Sequence, residues 1–462
     1  MTGLSRRSIL AGLSASVLPF SAHAQANDAK LREALDGLGQ LPDYSARLAR
    51  LAGFDPSQLS PSASLDLRTL RNNIAIDSQL ARLMPGGRSE GPYRLPPFAS
   101  IGLWRHPNGT AVYSLLLERH VGAGVGPEAA HRRFERAADV LGRRALRLMA
   151  GYTDTGRSIG AGFKAMFAEP AWLYADDDAG RDRAVTDMNG WLDPARKGLP
   201  ELIGPVPPAS LDVRVRRISR ADEAAGKGGY REIPAPGQPG GYFVDLKDIR
   251  RRPTWTLGSV VHHELLPGHM VQLPIEAGAD AHPLRIAYLP AFSEGWAIHA
   301  EQLMARRGAY RDLSLDELGH VHWLLFRAVR GLIDTGIHHR RWSLDQARAE
   351  FDRRQGVSAY FAPFERDLER IVAEPAIRAA EALVWLGLAE RTRGLTGPAL
   401  GRANQAILAH GRKPLRFIPN GGSRVWYAKR CTPCFPPARL DANQPSKPRA
   451  GLGRHKDNGR GE

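Results

Sequence analysis

Apolar residues recur at helical spacing through most of this chain. Between residues 28 and 83 they return every three or four positions, as at Leu31, Leu35, Leu38, Leu67, Leu70 and Ile74. Another amphipathic helix begins at Pro127, a residue suited to the first helical turn, and its apolar stripe runs to Leu148. Helical spacing resumes near Trp255 and continues to about Arg393, most clearly over residues 318–333, 344–351 and 376–388. The pattern predicts a mainly α fold with one large helical domain.

The helical pattern is interrupted between residues 200 and 246. Residues 211–215 alternate between apolar and polar side chains and residues 242–246 resemble a second strand, so a small β element is predicted here. The glycines and prolines of residues 226–241 predict a long loop, which lacks the Lys-Ser/Thr ending of a phosphate-binding loop. The second strand could border an active site as an edge to which a substrate backbone adds, or it could belong to a plain structural hairpin.

Both ends of the chain depart from this pattern. Residues 1–24 combine Arg6 and Arg7, an apolar run and a small-residue cleavage sequence, which predicts a twin-arginine signal peptide and a periplasmic or secreted protein. The apolar run is too short for a membrane span, so we expect no membrane insertion after cleavage. Residues 419–462 show no periodicity and are rich in Gly, Pro, Arg and Lys, which predicts a disordered tail. Residues 28–418 form the predicted helical domain.

Composition narrows the class of function. The apolar fraction of 43% supports a substantial core. The formal net charge is +16, but residues 421–462 alone hold nine Lys/Arg against three Asp/Glu, and the remaining excess is scattered among acidic residues. This distribution argues against a nucleic-acid partner. The only cysteines, Cys431 and Cys434, lie in the tail, where a disulfide or no role is a better interpretation than a metal site.

The strongest chemical signal is a histidine-glutamate pair on an apolar helix. His263 and Glu264 are followed by His269, and two histidines around a glutamate are how many zinc peptidases present two ligands and a general base. The usual spacing of four residues places both histidines on one face, whereas a spacing of six places them about 240° apart. Pro267 and Gly268 offer a remedy, because proline interrupts helical hydrogen bonding and glycine permits an unusual backbone. A helix broken there would return His269 to the side of His263.

A third ligand is expected from a later helix. Glu294 lies 25 positions after His269, in a segment similar to the Asn-Glu-Gly-Phe-Ala stretch of the gluzincin aminopeptidases. We therefore predict one zinc ion per chain, bound by His263, His269 and Glu294, with Glu264 as the base that takes a proton from water. His262 shares a helix face with His269, but two turns, roughly 10 Å, are too far for a shared ion.

These motifs resemble a bacterial family called domain of unknown function 885. The resemblance rests on His263-Glu264-x-x-Pro267-Gly268-His269-x-x-Gln272, on Glu294-Gly295-Trp296-Ala297 with Glu301, and on Asp334-Thr335-Gly336-Ile337-His338. It covers about residues 40–415 and is sharp only between about 240 and 350. That family is regarded as mainly helical and zinc-peptidase-like. The first motif is also similar to the His-Glu-Leu-Leu-Gly-His helix of dipeptidyl peptidase III, which tolerates an inserted residue.

Further site residues follow from the resemblance and from helical spacing. The resemblance suggests that His338 donates to an oxyanion while Asp334 orients its ring; otherwise they would be an exposed histidine and a helix-end aspartate. Glu301 shares a helix face with Glu294 and would orient a zinc ligand or receive the free amine of a substrate. The remaining candidates for substrate contact are Gln272, Tyr242, Tyr288, Arg327 and Arg330. The two arginines would grip a substrate carboxylate or act as ordinary surface or interhelical residues.

Together these residues predict an exported zinc metallopeptidase that hydrolyses peptides or dipeptides. Its expected partner is a peptide or small amide substrate. Two alternatives stay open: a zinc hydrolase of a non-peptide amide, and a catalytically silent binding protein on the same scaffold. The intact Glu264 argues against silence, because a decayed site has no need of the base.

Overall fold

Helices make up most of the computed structural model, which describes residues 22–98, 100–153, 158–311 and 314–419. The α-helices of these residues are α1 Ala22–Asp36, α2 Tyr44–Ala52, α3 Pro61–Leu83, α4 Gly109–Val121, α5 Pro127–Met149, α6 Ile159–Ala168, α7 Asp178–Gly190, α8 Leu192–Leu202, α9 Arg220–Ala224, α10 Leu257–Glu264, α11 His269–Gly278, α12 Pro283–Tyr288, α13 Pro290–Arg306, α14 Leu315–His338, α15 Leu344–Arg354, α16 Phe364–Ala373, α17 Ile377–Arg391 and α18 Gly397–Leu408. Short 3-10 helices join them at Gly37–Gln40, Pro56–Gln58, Leu103–Arg105, Pro170–Trp172, Pro208–Leu211, Ile249–Arg251, Thr254–Thr256 and Leu415–Phe417. The predicted mainly α fold is confirmed.

A three-stranded sheet lies between α8 and α10 in the chain. β1 (Val213–Arg217) pairs in parallel with β3 (Gly240–Val244), and β2 (Tyr230–Glu232) pairs with β3 in the antiparallel direction. The loop predicted over residues 226–241 therefore contains a strand, which three residues are too few to reveal by alternation. The order β1-β3-β2 leaves β3 paired on both sides. The expectation that the strand at residues 242–246 offers an edge to a substrate is therefore wrong.

The helix boundaries follow local capping chemistry. Ser60 at the start of α3 and Ser314 at the start of α14 each accept a hydrogen bond from a first-turn backbone N–H. Ser343 and Gln346 form a reciprocal capping box at the start of α15. Pro127 occupies the first turn of α5, as the sequence predicts.

Three helices at the centre of the molecule are buried on nearly all sides. On α14 every residue over 318–338 is buried except Arg327, and α13 is buried over 291–304 except at Glu294. Every residue of α10 is buried except Glu264. The helix α14 packs against α5, α17 and α10, and α13 packs against α17 and α10. Such burial places the three helices in the interior of the protein. Glu264, Glu294 and Arg327, the partly exposed residues of these buried ranges, line one cavity.

The predicted ends of the chain lie almost wholly outside the described residues. Of the predicted signal peptide, residues 22–24 are described and begin α1; of the predicted tail only residue 419 is described, so both cysteines lie outside. None of the described helices is long and apolar enough to cross a membrane.

Candidate metal centre

The helix carrying the first histidine is broken where the sequence predicts. α10 ends one residue after His263, and α11 begins at His269. Gly268 is required at the break, because a Cβ there would lie 1.9 Å from the carbonyl oxygen of His263. Trp296 of α13 donates its indole N–H to the carbonyl oxygen of Pro267 at 3.1 Å and so ties the break to the neighbouring helix. The predicted interruption around Pro267 and Gly268 is confirmed.

The break brings two histidines and a glutamate together. The rings of His263 and His269 are almost perpendicular, with centroids 5.0 Å apart. Nε2 of His263 lies 3.4 Å from Oε2 of Glu294, and Nε2 of His269 lies 3.5 Å from Oε1 of the same carboxylate. One donor atom from each residue lies within 4.8 Å of the other two. The separations of 3.4 and 3.5 Å are those of donors that share one ion with bonds of about 2 Å. We name these three residues the Glu294 cluster.

Hydrogen bonds on the far side of the first ring set its orientation. Nδ1 of His263 lies 2.8 Å from Oε1 of Glu301, and Oε2 of Glu301 accepts a 2.5 Å hydrogen bond from the Ser259 hydroxyl. A carboxylate can only accept, so Nδ1 carries the proton and the lone pair of the neutral ring is on Nε2. Of the two roles expected for Glu301, the contacts match the orienting one.

The second ring is oriented through two neutral groups. Nδ1 of His269 lies 3.2 Å from Oγ of Ser293, and that hydroxyl donates to Oε1 of Gln272 at 2.8 Å. Because the hydroxyl proton is directed at Gln272, the oxygen accepts from Nδ1–H, and Nε2 keeps its lone pair. Within the described part of the chain, the buried Nε2 of His269 has no hydrogen-bond partner. An unpaired buried acceptor is costly, so two Nε2 lone pairs and a carboxylate fit a zinc ion.

The cluster also concentrates negative charge. Burial alone would lower the pKa of His263, but hydrogen bonds to Glu294 and Glu301 outweigh burial and raise it above its ordinary value. Burial opposes ionisation of both carboxyl groups, yet the neighbouring imidazoles of His263 and His269 hold the pKa of Glu294 well below its usual range, and the hydrogen bond with His263 lowers the pKa of Glu301. Burial lowers the pKa of His269. Ionised carboxylates beside imidazoles suit a divalent cation.

A cavity of about 270 Å³ opens beside the cluster. Glu264 lines it, together with His263, Glu294 and Glu301. Arg231 of β2 donates a 2.5 Å hydrogen bond to Oε2 of Glu264. Glu264 thus faces the same space as the cluster without belonging to its donor set, which is the arrangement that a general base needs.

Both predicted arginines line this cavity, but their surroundings differ. Arg330 is 3% exposed, and its guanidinium pairs with Asp367 of α16 at 2.9 Å and lies 3.7 Å from Glu381 of α17. It is therefore an interhelical arginine. Arg327 is half-buried, and no described carboxylate lies within salt-bridge distance of it. Of the two, only Arg327 has a guanidinium without an ion-pair partner among the described residues, which the predicted grip on a carboxylate requires.

The structure does not place His338 in the cavity. It lies at the end of α14, fully buried, and its Nε2 is 2.9 Å from the carbonyl oxygen of Ile371, to which it donates. The amide N–H of Leu103 donates to Nδ1 at 3.3 Å. With both ring nitrogens engaged, the side chain has no donor for an oxyanion. The predicted oxyanion role of His338 is therefore wrong. The alternative, that His338 is an exposed histidine, is wrong as well.

Asp334 serves the start of another helix. It lies one turn before His338, as predicted, but among the described contacts no hydrogen bond joins the two side chains. Its Oδ1 accepts from the Tyr113 hydroxyl at 2.8 Å and from the amide of Ala376 at 3.1 Å, and its Oδ2 accepts from the amide of Ala379 at 3.0 Å. A carboxylate at a helix N-terminus satisfies amides that lack a partner. We name Asp334, His338 and Tyr113 the Asp334 cluster.

Neither predicted tyrosine lines the cavity. Tyr288 donates at 2.6 Å to Asp77, which also pairs with Arg119, so it belongs to a separate buried network. Tyr242 on β3 lies behind the cavity wall, with its hydroxyl 3.3 Å from that of Tyr360, and it is Tyr360 that lines the cavity. Gln272 acts behind His269 through the serine hydroxyl rather than in the cavity.

Sequence reasoning missed several residues of the site. Ser259 lies four positions before His263 on the same helix face, and Ser293 directly precedes Glu294. Their positions in the sequence could therefore have predicted that they lie near the site. Arg231 and Arg370 reach the cavity from β2 and α16, elements that are distant from the motif in the chain. No spacing rule connects them to it.

Comparison with known proteins adds a family and a fold. The family model described as "Bacterial protein of unknown function (DUF885)" matches residues 81–418. A presumed lipoprotein from Colwellia psychrerythraea has a similar structure, with a TM-score of 0.60 and 24% identity over 86% of this chain and 68% of that chain. A presumed lipoprotein of unknown function from Shewanella oneidensis has a TM-score of 0.59 and 13% identity, over 86% of this chain and 98% of that chain. At these identities the likeness shows the fold alone. No curated protein matches the chain.

Proposed function

This chain belongs to the bacterial DUF885 family, and we propose that it is an exported zinc-dependent hydrolase that cleaves peptides or dipeptides. The Glu294 cluster is the observation that carries the proposal. Two imidazole Nε2 atoms and one carboxylate converge within 4.8 Å on buried helices, and each ring is held from behind by a hydrogen bond through Nδ1. Such orienting partners are typical of histidines that bind a metal.

The residues of the cluster would hold the ion. His263, His269 and Glu294 form a two-histidine, one-glutamate set of the kind found in catalytic zinc sites, which leaves a position open. A zinc ion in such a site lowers the pKa of water to about 7 and polarises the substrate carbonyl.

Glu264 moves the proton that hydrolysis requires. Its carboxylate accepts a proton from the attacking water and delivers it to the leaving nitrogen, because an amine leaves far more readily than an amide anion. Arg231 holds this carboxylate with a 2.5 Å hydrogen bond. Since His338 lies outside the cavity, Tyr360 on the cavity wall takes over its expected part in stabilising the oxyanion.

Export is the second part of the proposal. The twin arginines Arg6 and Arg7 precede an apolar run, and both similar structures come from presumed lipoproteins. A twin-arginine route moves folded proteins, so the metal would be acquired before export. Replacing both arginines with lysine should retain the protein in the cytoplasm, which fractionation measures; unchanged export would contradict the route.

Metal content and turnover test the proposed reaction together. Protein purified without chelator should contain about one zinc per chain by elemental analysis. It should cleave members of a short-peptide library, lose this activity on removal of zinc and regain it when zinc is returned. A metal-free preparation that stays active would contradict the proposal. If the zinc-loaded protein cleaves no peptide, the peptidase function is wrong, and the site would instead hydrolyse a non-peptide amide or only bind a ligand.

A further inference from the structure

The cavity beside the Glu294 cluster holds more cationic than anionic side chains. Five arginines line it against four glutamates. A guanidinium stays charged at any pH that a protein experiences. A divalent cation held by the cluster would increase the positive excess further. The cavity therefore favours an anionic occupant.

Three of the five arginines are already neutralised by the protein. These arginines form the ion pairs Arg231–Glu264 at 2.5 Å, Arg330–Asp367 at 2.9 Å and Arg378–Glu381 at 2.5 Å. Their guanidinium groups hold the base in place or join helices, so they offer little charge to a ligand.

The other two arginines, Arg327 and Arg370, have no such ion pair. Among the residues that the structure describes, no carboxylate lies within salt-bridge distance of either guanidinium. Nε of Arg327 is buried without a hydrogen-bond partner. The nearby carboxylate of Glu301 is already engaged by His263 and Ser259. Arg327 is also the one residue over 318–338 of α14 that is not buried, so the helix presents a cation where its other side chains are enclosed.

We propose that Arg327 and Arg370 bind a carboxylate group of the peptide substrate. This inference rests on the proposed function and names the substrate class of the same site. Guanidinium groups match the planar geometry of a carboxylate and can bind it through two parallel hydrogen bonds. The rings of Trp323, Tyr360 and Phe361 form part of the wall, and limited access of water strengthens such an ion pair.

The carboxylate has two possible sources, the C-terminus of the peptide and an acidic side chain. The cavity volume of about 270 Å³ lies just below the range of ligand pockets, which span about 300–1,000 Å³. A small cavity with the anion site beside the cluster favours a short substrate cleaved close to its C-terminus. The structure thus points to the C-terminal carboxylate, with an acidic side chain as the alternative that the experiment separates.

Matched peptides test the inference. A short-peptide library without Asp or Glu is prepared once with free C-terminal carboxylates and once as C-terminal amides, and a third set carries an amide together with one Glu. We expect kcat/KM for the free acids to exceed that for the plain amides by roughly 10- to 100-fold, the usual worth of charged hydrogen bonds. Recovery in the third set would assign the site to an acidic side chain. Equal rates for all three sets would overturn the inference while leaving the peptidase function intact.

Variants connect the preference to the two arginines. Arg327→Gln and Arg370→Gln should each reduce the acid-over-amide preference, whereas Arg366→Gln, an exposed arginine of the same helix as Arg370, should leave it unchanged. Zinc content and the circular dichroism spectrum confirm that each variant is folded. A preference that survives both cavity variants would overturn the assignment.

Binding measured without turnover separates this inference from the proposed function. In the Glu264→Gln background, calorimetry should show that trialanine binds roughly 10-fold or more tightly than trialanine amide, and that Arg327→Gln removes the difference. If no peptide set is cleaved but this difference is observed, the peptidase function fails and the anion site stands. Equal binding of acid and amide would overturn the anion site.

Discussion

Two clusters of carboxylate and histidine lie on the buried central helices, and the same residue types behave differently in each. In the Glu294 cluster every histidine uses Nδ1 for a partner behind the ring, so both Nε2 atoms face one carboxylate beside a cavity. In the Asp334 cluster both nitrogens of His338 are engaged by backbone groups, and both oxygens of Asp334 accept hydrogen bonds. The first cluster retains free lone pairs, whereas the second has none to offer.

The difference shows that residue type and helical spacing do not define a catalytic site. Asp334 and His338 lie one turn apart on α14, a spacing that suits an aspartate–histidine pair. Their neighbours instead direct them to the N-terminus of α17 and to the carbonyl oxygen of Ile371. What decides the role is whether packing leaves a donor or an acceptor open toward a cavity.

The largest effect should follow from removing the charged ligand. Glu294→Gln should reduce zinc well below one ion per chain, because a neutral amide is a poor zinc ligand. Elemental analysis after dialysis measures the content, with Glu365→Gln, exposed on α16, as the matched control. Asp334→Asn should keep its zinc. If Glu294→Gln retains a full zinc ion, the cluster does not bind metal as we propose.

The second prediction concerns catalysis without metal loss. Glu264→Gln should lower kcat on a cleaved peptide by roughly 10²–10⁴-fold, the usual contribution of a positioned base. Its zinc content and Tm should stay near those of the parent, because Glu264 lies outside the donor set. Should Glu264→Gln lose zinc while Glu294→Gln keeps it, the two roles would be reversed.

The third prediction treats the Asp334 cluster as structural. Asp334→Asn should lower the free energy of unfolding by about 2–4 kcal/mol, because an amide group replaces an oxygen that accepts hydrogen bonds in a buried site. Urea unfolding measures this, and Asp345→Asn, exposed on α15, should change stability by no more than about 0.5 kcal/mol. If Asp334→Asn leaves the stability unchanged but lowers kcat, Asp334 has a catalytic role and not a structural one.

The smallest expected effect concerns the residue behind a ligand. Glu301→Gln should weaken zinc binding by roughly 10- to 100-fold, the usual effect of changing a group that orients a histidine ligand. Competition with a chromophoric chelator measures the Kd. His338→Gln should destabilise the protein and leave the zinc Kd of the folded fraction unchanged. If Glu301→Gln and His338→Gln changed the zinc Kd equally, the Glu294 cluster could not be distinguished from the Asp334 cluster by zinc binding.

Much of the architecture could be predicted from the sequence, because its signals are local. The apolar period predicts α3, α5, α14 and α17, since burial of one helix face leaves a repeat of three to four residues. The Pro267-Gly268 pair predicts the interruption between α10 and α11. The spacing and chemistry of His263, His269 and Glu294 predict residues that the structure brings together. Their role as ligands stays a prediction.

The tertiary structure alone decided which polar groups are free. Leu103, which engages His338, lies 235 residues away in the chain, and Ile371 lies 33 away. The arginines that enter the cavity from β2 and α16 likewise show no periodic relation to the motif. A hydrogen bond between distant segments depends on how whole helices pack, and packing leaves no mark in the local spacing of either segment. The chain by itself therefore determined the candidates, while contacts between remote elements determined which of them face the cavity.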